Sequence, residues 1–593
     1  MTNLGDTISS RLLPRVRRPG QYVGLEINAR HKDAGSADVS AALAFPDTYS
    51  IGISHLGSGV LYQLLNDMDG VACDRAYCPQ ADAEAVMRRE GIPLFGWESR
   101  RPLRQFDLLG FSLAYEMCAT NVLTMLDLAR IPLPAAERTR DDPIVLGGDA
   151  LADSPEILAD FIDIFLPGDG EVSLPPLVEL VRELKRAGAT REEILLQAAR
   201  TLSGAYVPRF YRPRYIADGT MAGMDVLAEG VPAVVPHVHL RTLDDSPAIL
   251  APLVPLSEAI HERVVIEIMR GCPNACRFCQ AGHARLPVRL RSVDEILRIA
   301  RAALDATGYT EIALLSLSSS DYPRLDELID RLNAEFAQRQ VSISLPSLRV
   351  GSQLRQLPRL TSGVRKGGLT IAAEAGSERL RGAIRKDITE EDMVAGVRAA
   401  YEAGWRSVKV YFMAGLPGET QQDVDEIFRL CRLLSDARKD VDGQRGSISA
   451  GISWMVPKPH TPMQWCAMRD AEYFFAVRRR LRELSWKTPI SFKFHRIERS
   501  VLESAFCRGD RRVGQAILAA WRAGARMDAW DEHFHFETWR AAFAQAGLDM
   551  AFYAQRAIGL DEVLPWSHIA CPRTEQFLKT EYQRMMSGLA QSS

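Results

Sequence analysis

The sequence predicts an α/β protein of three parts, and three observations support this prediction. Strand-like apolar runs alternate with helical patterns over 21–225 and again over 258–490. A Pro-rich linker at 226–257 separates these two regions, and a polar, Arg-rich tail precedes them at 1–20. The remainder, 491–593, places Trp, Phe, Arg and Ala at helical spacing and predicts a helical domain. Alternating strands and helices are typical of parallel sheets with crossover helices.

The composition excludes several classes of protein. The chain has 593 residues, of which 47% are hydrophobic and 25% charged, so it has ample material for a buried core and is not disordered as a whole. Its formal net charge of -3 lacks the basic excess of a dedicated nucleic-acid binder. No apolar run reaches the ~20 residues of a membrane span, and the N-terminus has no secretion signal. The sequence therefore predicts a cytoplasmic protein with no membrane partner.

The first alternating region predicts a doubly wound domain, because short apolar strands are followed by helical patterns. Its predicted strands are 39–46, 106–113, 143–148 and 163–168, and its predicted helices include 59–68 and 118–129. The strands end in Gly, Ser or Asp. In an open parallel sheet a ligand binds beyond the carboxyl ends of the strands, where small residues let it approach the backbone.

The second alternating region predicts a full or partial (β/α) barrel. Six or seven strand–helix repeats fit within it. The strand-like runs are 264–269, 312–317, 341–346, 369–373, 407–412 and 448–456. In such barrels the chemistry is assembled at the carboxyl ends of the strands.

Three cysteines in one loop carry the strongest chemical signal. Cys272, Cys276 and Cys279 are spaced C-x3-C-x2-C directly after the run 264–269. Three thiolates can hold three irons of a 4Fe-4S cluster and leave the fourth iron open to a ligand, whereas structural zinc normally takes four ligands. The alternatives are a zinc loop completed by His283 and three unrelated thiols.

The string MRGCPNACRFCQAG, with its aromatic Phe278, resembles the cluster motif of the radical S-adenosylmethionine (radical SAM) superfamily. The resemblance implies that the open iron binds the amino and carboxylate groups of S-adenosylmethionine. It also implies that electron transfer cleaves this cofactor to a 5'-deoxyadenosyl radical. The barrel would then shield the radical from solvent.

Later barrel segments, LSLSSSDY, TIAAEAGSERL and VKVYFMAGLPGET, resemble the family's cofactor-lining strand ends. The resemblance implies contacts to S-adenosylmethionine from Ser316, Ser318, Glu374, Ser377 and Gly415. The alternatives are a helix cap for Ser377 and a tight turn for Gly415. In MVPKPHTPMQW, His460 is a candidate proton-transfer residue, although a lone His is more often structural. No other catalytic residue is assigned.

Strand ends of the first domain resemble the loops of cobalamin-binding, flavodoxin-like domains that are fused to radical SAM barrels. The resemblance implies cobalamin contacts from Ser112, Gly147, Gly148, Gly168, Gly170 and Glu171. Glycines suit places where the backbone must pass close to a flat corrin. The signature D-x-H-x-x-G is broken around His55, because Ile53 and Ser58 stand at the Asp and Gly positions. We therefore expect no protein ligand on cobalt; the alternative is a domain that binds nothing.

Taken together, the chain resembles a bacterial family of cobalamin-binding radical SAM proteins for which the resemblance names no substrate. It implies three cofactors: a 4Fe-4S cluster, S-adenosylmethionine and cobalamin. The expected reaction is methylation of an unactivated carbon, supplied with electrons by a donor such as flavodoxin or ferredoxin. The alternatives are a radical rearrangement, ring closure or sulfur insertion without methyl transfer, and a corrinoid or iron–sulfur sensor. An RNA substrate fits the basic segments VRRRLREL and CRGDRR but is not favoured.

Overall fold

The first domain is built on a parallel five-stranded sheet with the strand order β2-β1-β3-β4-β5. The structure is a computed structural model that describes residues 3–345 and 369–591. The strands are β1 Val39–Phe45, β2 Val71–Tyr77, β3 Leu108–Ser112, β4 Ile144–Gly148 and β5 Ile164–Phe165. This order is one of the two common doubly wound orders. The direction in which successive strands are added to the sheet reverses between β1 and β3. The predicted α/β class is confirmed.

Both faces of this sheet are covered, since every residue of β1 and β2 is buried. The strands alternate with helices, as the sequence pattern predicts. The helices are α1 Leu4–Thr7, α2 Tyr49–Gly52, α3 Leu56–Asp67, α4 Ala81–Glu90, α5 Ala119–Leu128, α6 Gly170–Arg186 and α7 Arg191–Thr201. The helix α7 begins with a capping box, in which Thr190 and Glu193 each bond the other's backbone N–H. An antiparallel ribbon of β6 Tyr211–Tyr215 and β7 Met221–Val226 follows.

Strand β2 is absent from the sequence prediction, because two charged residues interrupt its apolar pattern. All seven of its residues are buried. The Asp74 carboxylate accepts hydrogen bonds from the backbone and hydroxyl of Ser99, and the Arg75 guanidinium lies 2.6 Å from Glu26 and 2.5 Å from Glu98. Buried charges persist when they are paired in this way.

The second region forms two parallel sheets, one with the order β12-β11-β8 and one with the order β13-β14-β15-β16. Its strands are β8 Val264–Glu267, β9 Met269–Arg270, β10 Arg289–Leu290, β11 Glu311–Leu315, β12 Ser342–Ser344, β13 Leu369–Glu374, β14 Ser407–Ala414, β15 Ser447–Trp454 and β16 Ile490–Phe494. Strand β16 carries the second sheet past residue 490, where the sequence analysis ends the barrel. The short strands β9 and β10 pair antiparallel and bracket the cysteine loop.

Helices connect these strands, and the longer helices bury an apolar stripe. The helices are α8 Gln280–Ala284, α9 Val293–Thr307, α10 Leu325–Phe336, α11 Glu378–Ala383, α12 Glu390–Glu402, α13 Gln421–Asp436, α14 Lys439–Asp442 and α15 Ala471–Ser485. In α9, for example, Val293, Ile296 and Ala300 are buried against the sheet of β12, β11 and β8. Gly308 ends this helix in the left-handed conformation.

The C-terminal part is helical, and it contacts both preceding domains. Its helices are α16 Ile497–Cys507, α17 Val513–Arg522, α18 Phe536–Gln545, α19 Met550–Ala554 and α20 Glu575–Gln591. The buried Asp528 carboxylate accepts hydrogen bonds from Trp539 at 2.8 Å and from Thr120 of α5 at 2.6 Å. Within the described residues, no helix combines the length and apolar character needed to cross a membrane.

Replacing Arg75 with Met should destabilise the first domain, because Glu26 and Glu98 would remain buried without a cation. Breaking a buried ion pair in this way costs about 3–5 kcal/mol. The measurement is the urea midpoint for loss of the fluorescence of Trp97, which is buried in the same domain.

Arg88→Met is the matched control, since Arg88 pairs with Glu84 and Asp127 while its side chain is 40% exposed. Such a surface pair contributes about 0–1 kcal/mol. Equal midpoints for the two variants would contradict the account of strand β2.

Candidate active site

The carboxyl ends of the two parallel-sheet regions face each other, and buried ion pairs hold them together. Arg270, at the end of β9, lies 2.9 Å from Asp169 and 2.8 Å from Glu171, which both follow β5. Arg289 is 3.0 Å from the same Asp169 carboxylate. Burial alone would raise the pKa of Asp169, but Arg270 and Arg289 hold it below its usual value. The predicted cobalamin residue Glu171 is therefore engaged by the second α/β region, residues 258–490, which is the core domain of the protein.

The three cysteines predicted to hold a metal lie together on the loop between β9 and α8. Cys279 occupies the N-cap of α8, where its Sγ accepts the Gly282 N–H at 3.4 Å. Burial, with the adjacent thiols of Cys276 and Cys272, raises the pKa of Cys279 to about 11. A bound metal would reverse this shift, because a coordinating thiol is deprotonated.

The spacing of these sulfur atoms argues against a single zinc ion. Tetrahedral zinc with Zn–S distances of about 2.3 Å places its ligand sulfurs roughly 3.8 Å apart. Among the described residues, the group whose ligand atoms all lie within 4.8 Å of one another is Glu116, Glu503 and Cys507, so at least two of the three loop sulfurs are more than 4.8 Å apart. The His283 Nε2 meets the Cys276 carbonyl at 3.1 Å instead of a thiol. The donor set therefore fits a multi-iron cluster better than zinc.

The end of strand β11 supports the cysteine loop through a short hydrogen-bond network. The Asn274 amide donates to Cys272 Sγ at 3.4 Å and to the Asp321 carboxylate at 2.6 Å. The predicted residue Ser318 donates to the same carboxylate at 2.7 Å, and the Ser316 hydroxyl bonds another serine of this turn. Both predicted serines thus lie beside the loop, and their contact to S-adenosylmethionine stays a prediction.

Glu374 ends strand β13 on the same side of the core domain. It adopts a φ of 66° at a bulge, and its carboxylate lies 3.4 Å from Lys386. Burial raises its pKa despite this lysine, and its charge in turn contributes to the raised pKa of Cys279. The charge of Glu374 therefore acts on the cysteine loop, and its contact to S-adenosylmethionine stays a prediction.

Ser377 and Gly415 have clear structural roles. Ser377 caps α11, where its Oγ accepts the Leu380 N–H at 3.3 Å and donates to Asp423 at 2.5 Å. Gly415 has a φ of 89° and donates its N–H to Glu419 at 2.5 Å. Burial raises the pKa of Glu419 to about 7. These contacts agree with the cap and turn alternatives and leave a cofactor contact as a prediction.

His460 is buried and joins the core domain to the first domain. Its Nε2 lies 2.7 Å from the Asp153 carbonyl, to which it donates. Burial lowers its pKa, so the ring is neutral. This contact supports the structural interpretation of His460 over the proton-transfer one.

The glycines predicted to contact cobalamin divide into two groups. A Cβ on Gly168 would stand 2.0 Å from the Val238 carbonyl, one on Gly170 would meet Leu61 at 3.0 Å, and one on Gly147 would meet Leu113 at 2.8 Å. Close packing of the protein itself accounts for these three glycines. A Cβ on Gly148 would have no atom within 4 Å, so this glycine borders open space.

The reversal point between β1 and β3 carries a chain of polar side chains. His55 Nδ1 accepts the Ser58 N–H at 3.1 Å, and the Ser58 hydroxyl lies 2.9 Å from that of Ser112. The His55 Nε2 lies 3.5 Å from Asp149, which also pairs with Arg285 at 3.1 Å. Burial lowers the pKa of His55, so its neutral ring carries the proton on Nε2. Both ring nitrogens are therefore engaged by the protein.

A buried charge cluster that the sequence analysis missed lies where all three parts meet. Lys458, after β15, contacts Glu116 at 3.1 Å and Glu503 at 2.8 Å, and the Cys507 thiol donates to Glu116 at 3.1 Å. Burial opposes the charge of Lys458, but Cys507, Glu116 and Glu503 hold its pKa well above the usual value. Glu503 and Cys507 lie one helical turn apart on α16, but no spacing in the sequence links them to Glu116 or Lys458, which come from two other parts of the chain.

Comparisons with known proteins agree with this arrangement. Residues 57–208 match the family described as radical SAM proteins, N-terminal, and residues 266–431 match the radical SAM superfamily. The uncharacterized protein MJ0966 of Methanocaldococcus jannaschii is 26% identical over 81% of this chain and 90% of its own length.

Other relatives match only part of this chain. The ribosomal protein uS12 methylthiotransferase RimO of Salinispora arenicola is 32% identical over 32% of this chain, and the match spans 40% of that enzyme.

Among solved structures, the cobalamin-dependent S-adenosylmethionine radical enzyme OxsB with aqua-cobalamin bound superposes with a TM-score of 0.47 and 12% identity, over 93% of this chain and 80% of that one.

Each family match covers part of one parallel-sheet region: the first begins after β1, and the second begins within β8, includes the cysteine loop and ends before β15. The protein is therefore built on a radical SAM domain, residues 266–431, preceded by the N-terminal domain of radical SAM proteins, residues 57–208.

Proposed function

We propose that this radical SAM enzyme binds cobalamin in its first domain and methylates an unactivated carbon of its substrate. The observation that carries the proposal is the opposition of two carboxyl-terminal sheet edges. Open doubly wound sheets bind ligands at the point where the strand order reverses, and His55 and Ser112 lie at that point. Arg285, which follows the cysteine loop, reaches Asp149 at the same edge.

The protein's contribution is to hold the reacting partners in place. When bound, the cluster and S-adenosylmethionine supply a radical that abstracts hydrogen from the substrate, and cobalamin supplies the methyl group. Cys272, Cys276 and Cys279 would ligate the cluster, while Ser316, Ser318, Glu374, Ser377 and Gly415 would surround S-adenosylmethionine. Buried ion pairs between the domains would fix the distance between the two cofactor sites, which replaces diffusion with proximity.

The contacts of His55 support cobalamin binding without a protein ligand on cobalt. Its Nδ1 accepts a backbone hydrogen bond and its protonated Nε2 faces Asp149, so neither nitrogen offers a free lone pair. Ser112 and Gly148 would border the corrin, since a Cβ on Gly148 would meet no protein atom within 4 Å. Packing and ion pairs already engage the other predicted cobalamin residues.

The second candidate function is radical sulfur insertion, and the similarity to RimO favours it. That relative is named a methylthiotransferase and is 32% identical over its matched region. The mass of the product distinguishes the two reactions, since a methyl group and a methylthio group differ by one sulfur atom. A sensor would give no product, and reduced protein would then leave S-adenosylmethionine uncleaved.

Replacing Cys276 with Ala should remove the iron cluster and with it the cleavage of S-adenosylmethionine. After anaerobic reconstitution we expect about four irons per chain in the native protein and almost none in this variant. Iron analysis and chromatographic assay of 5'-deoxyadenosine measure the two effects.

The matched control is Cys431→Ala, which removes a fully buried thiol from α13, outside the loop. This control should keep both the iron and the cleavage. Zinc in place of iron in the native protein, or full cleavage activity in the Cys276 variant, would contradict the assignment of the loop.

Added hydroxocobalamin should bind to the purified protein, and after one-electron reduction its cobalt should show no hyperfine splitting from a protein nitrogen. The His55→Ala variant should bind cobalamin with the same paramagnetic resonance spectrum, because His55 makes its contacts within the protein. A nitrogen splitting that disappears in the variant would refute the proposed ligation. A failure of the native protein to bind cobalamin would refute the role of the first domain.

A further inference from the structure

The sheet of strands β13 to β16 has one buried face and one accessible polar face. Its outward residues, such as Val410, Phe412 and Ile452, are buried in the core beneath the helices. The opposite face presents residues in register across the four strands. One row contains Thr370, Lys409, Ser449 and Ser491, and the next contains Ala372, Tyr411, Gly451 and Lys493.

Two lysines on this face have no partner in the described part of the chain. Lys409 and Lys493 are both exposed, and neither forms an ion pair or a hydrogen bond with another described residue. Neither of the two rows contains an acidic side chain. Opposite charges on neighbouring strands normally pair across a sheet, so these lysines form a patch of uncompensated positive charge.

The register places the two ammonium groups within reach of a single anionic group. Lys409 and Lys493 lie two strands and two residues apart, which puts their Cα atoms about 12 Å from each other. Each lysine has a flexible four-carbon stem of about 6 Å. Gly451 stands between them without a side chain, and the Tyr411 ring lies over it, 2.8 Å from where a Cβ would be. The Tyr411 ring therefore covers the centre of the sheet between the two lysines.

The same face leads to the cysteine loop. Phe278 of the cysteine loop packs against the apolar cluster that contains Ala375, the residue that follows β13. Glu374 ends strand β13 on that side. Thr370 and Ala372 precede it on the same strand and belong to the two rows. A molecule held by the lysines would therefore extend toward the cluster site along the strands.

We propose that this face binds the anionic part of the substrate, a phosphate or a carboxylate group, through Lys409 and Lys493. The hydroxyls of Thr370 and Ser449 supply further hydrogen-bond donors, and the Tyr411 ring, 48% exposed, supplies an apolar surface beside them. This inference rests on the proposed function, because it takes the reaction to occur at the cysteine loop.

The test is titration calorimetry of the full-length protein with two probes, inorganic pyrophosphate and citrate. Binding of pyrophosphate alone supports a phosphate group, and binding of citrate alone supports a carboxylate. A hydrogen bond from a charged group contributes about 1.5–3 kcal/mol. Lys409→Gln and Lys493→Gln should therefore each weaken the affinity for the preferred probe at least about tenfold.

The matched control is the double variant Lys439→Gln, Lys579→Gln, which removes the same charge from two surface ion pairs elsewhere. It should leave the affinity for the probe unchanged. Equal affinities in the control and in the double variant of Lys409 and Lys493, or no binding of either probe, would overturn the inference.

Cleavage of S-adenosylmethionine by the native protein separates this inference from the proposed function. Cleavage without anion binding overturns the inference alone. Anion binding that depends on Lys409 and Lys493, in a protein that does not cleave S-adenosylmethionine, overturns the proposed function alone.

Discussion

Buried ion pairs between the two sheet edges are the constraint on which the rest of the structure depends. Arg270, Arg289 and Arg285 extend from the segments around the cysteine loop, and they meet Asp169 and Asp149 of the first domain. These charges are stable out of water only because each has a partner. The first domain is therefore held over the loop in one orientation, and the second sheet leaves its polar face accessible.

Asp149 lies at the junction of the two sheet edges and has an unusual backbone conformation. Its φ of 73° and ψ of -156° fall in a region that is essentially reserved for glycine, and such a conformation costs about 1–3 kcal/mol. The residue is held there by Arg285 on one side and His55 on the other. Through these two contacts, the Asp149 carboxylate connects the reversal point of the sheet to the cysteine loop.

The sequence predicts the α/β architecture well, because strand and helix periods alternate along it, and it also places the cysteine loop at a strand end. It misses β2, whose buried Asp74 and Arg75 break the apolar pattern, and β16, which alternates with polar residues. The Lys458 cluster could not be predicted, since its members come from three parts of the chain. Glycines are ambiguous in sequence: Gly168 permits a close approach of the chain to itself, whereas Gly148 borders open space.

The most direct test of the account is whether the two cofactors lie close together. We would load the native protein with its iron cluster and with cobalamin, reduce both, and record the paramagnetic resonance of cobalt. The account predicts a cobalt signal broadened by the neighbouring reduced cluster, and a sharp signal in the Cys276→Ala variant with cobalamin bound. Identical sharp signals from both proteins, with full cluster content in the native one, would contradict it.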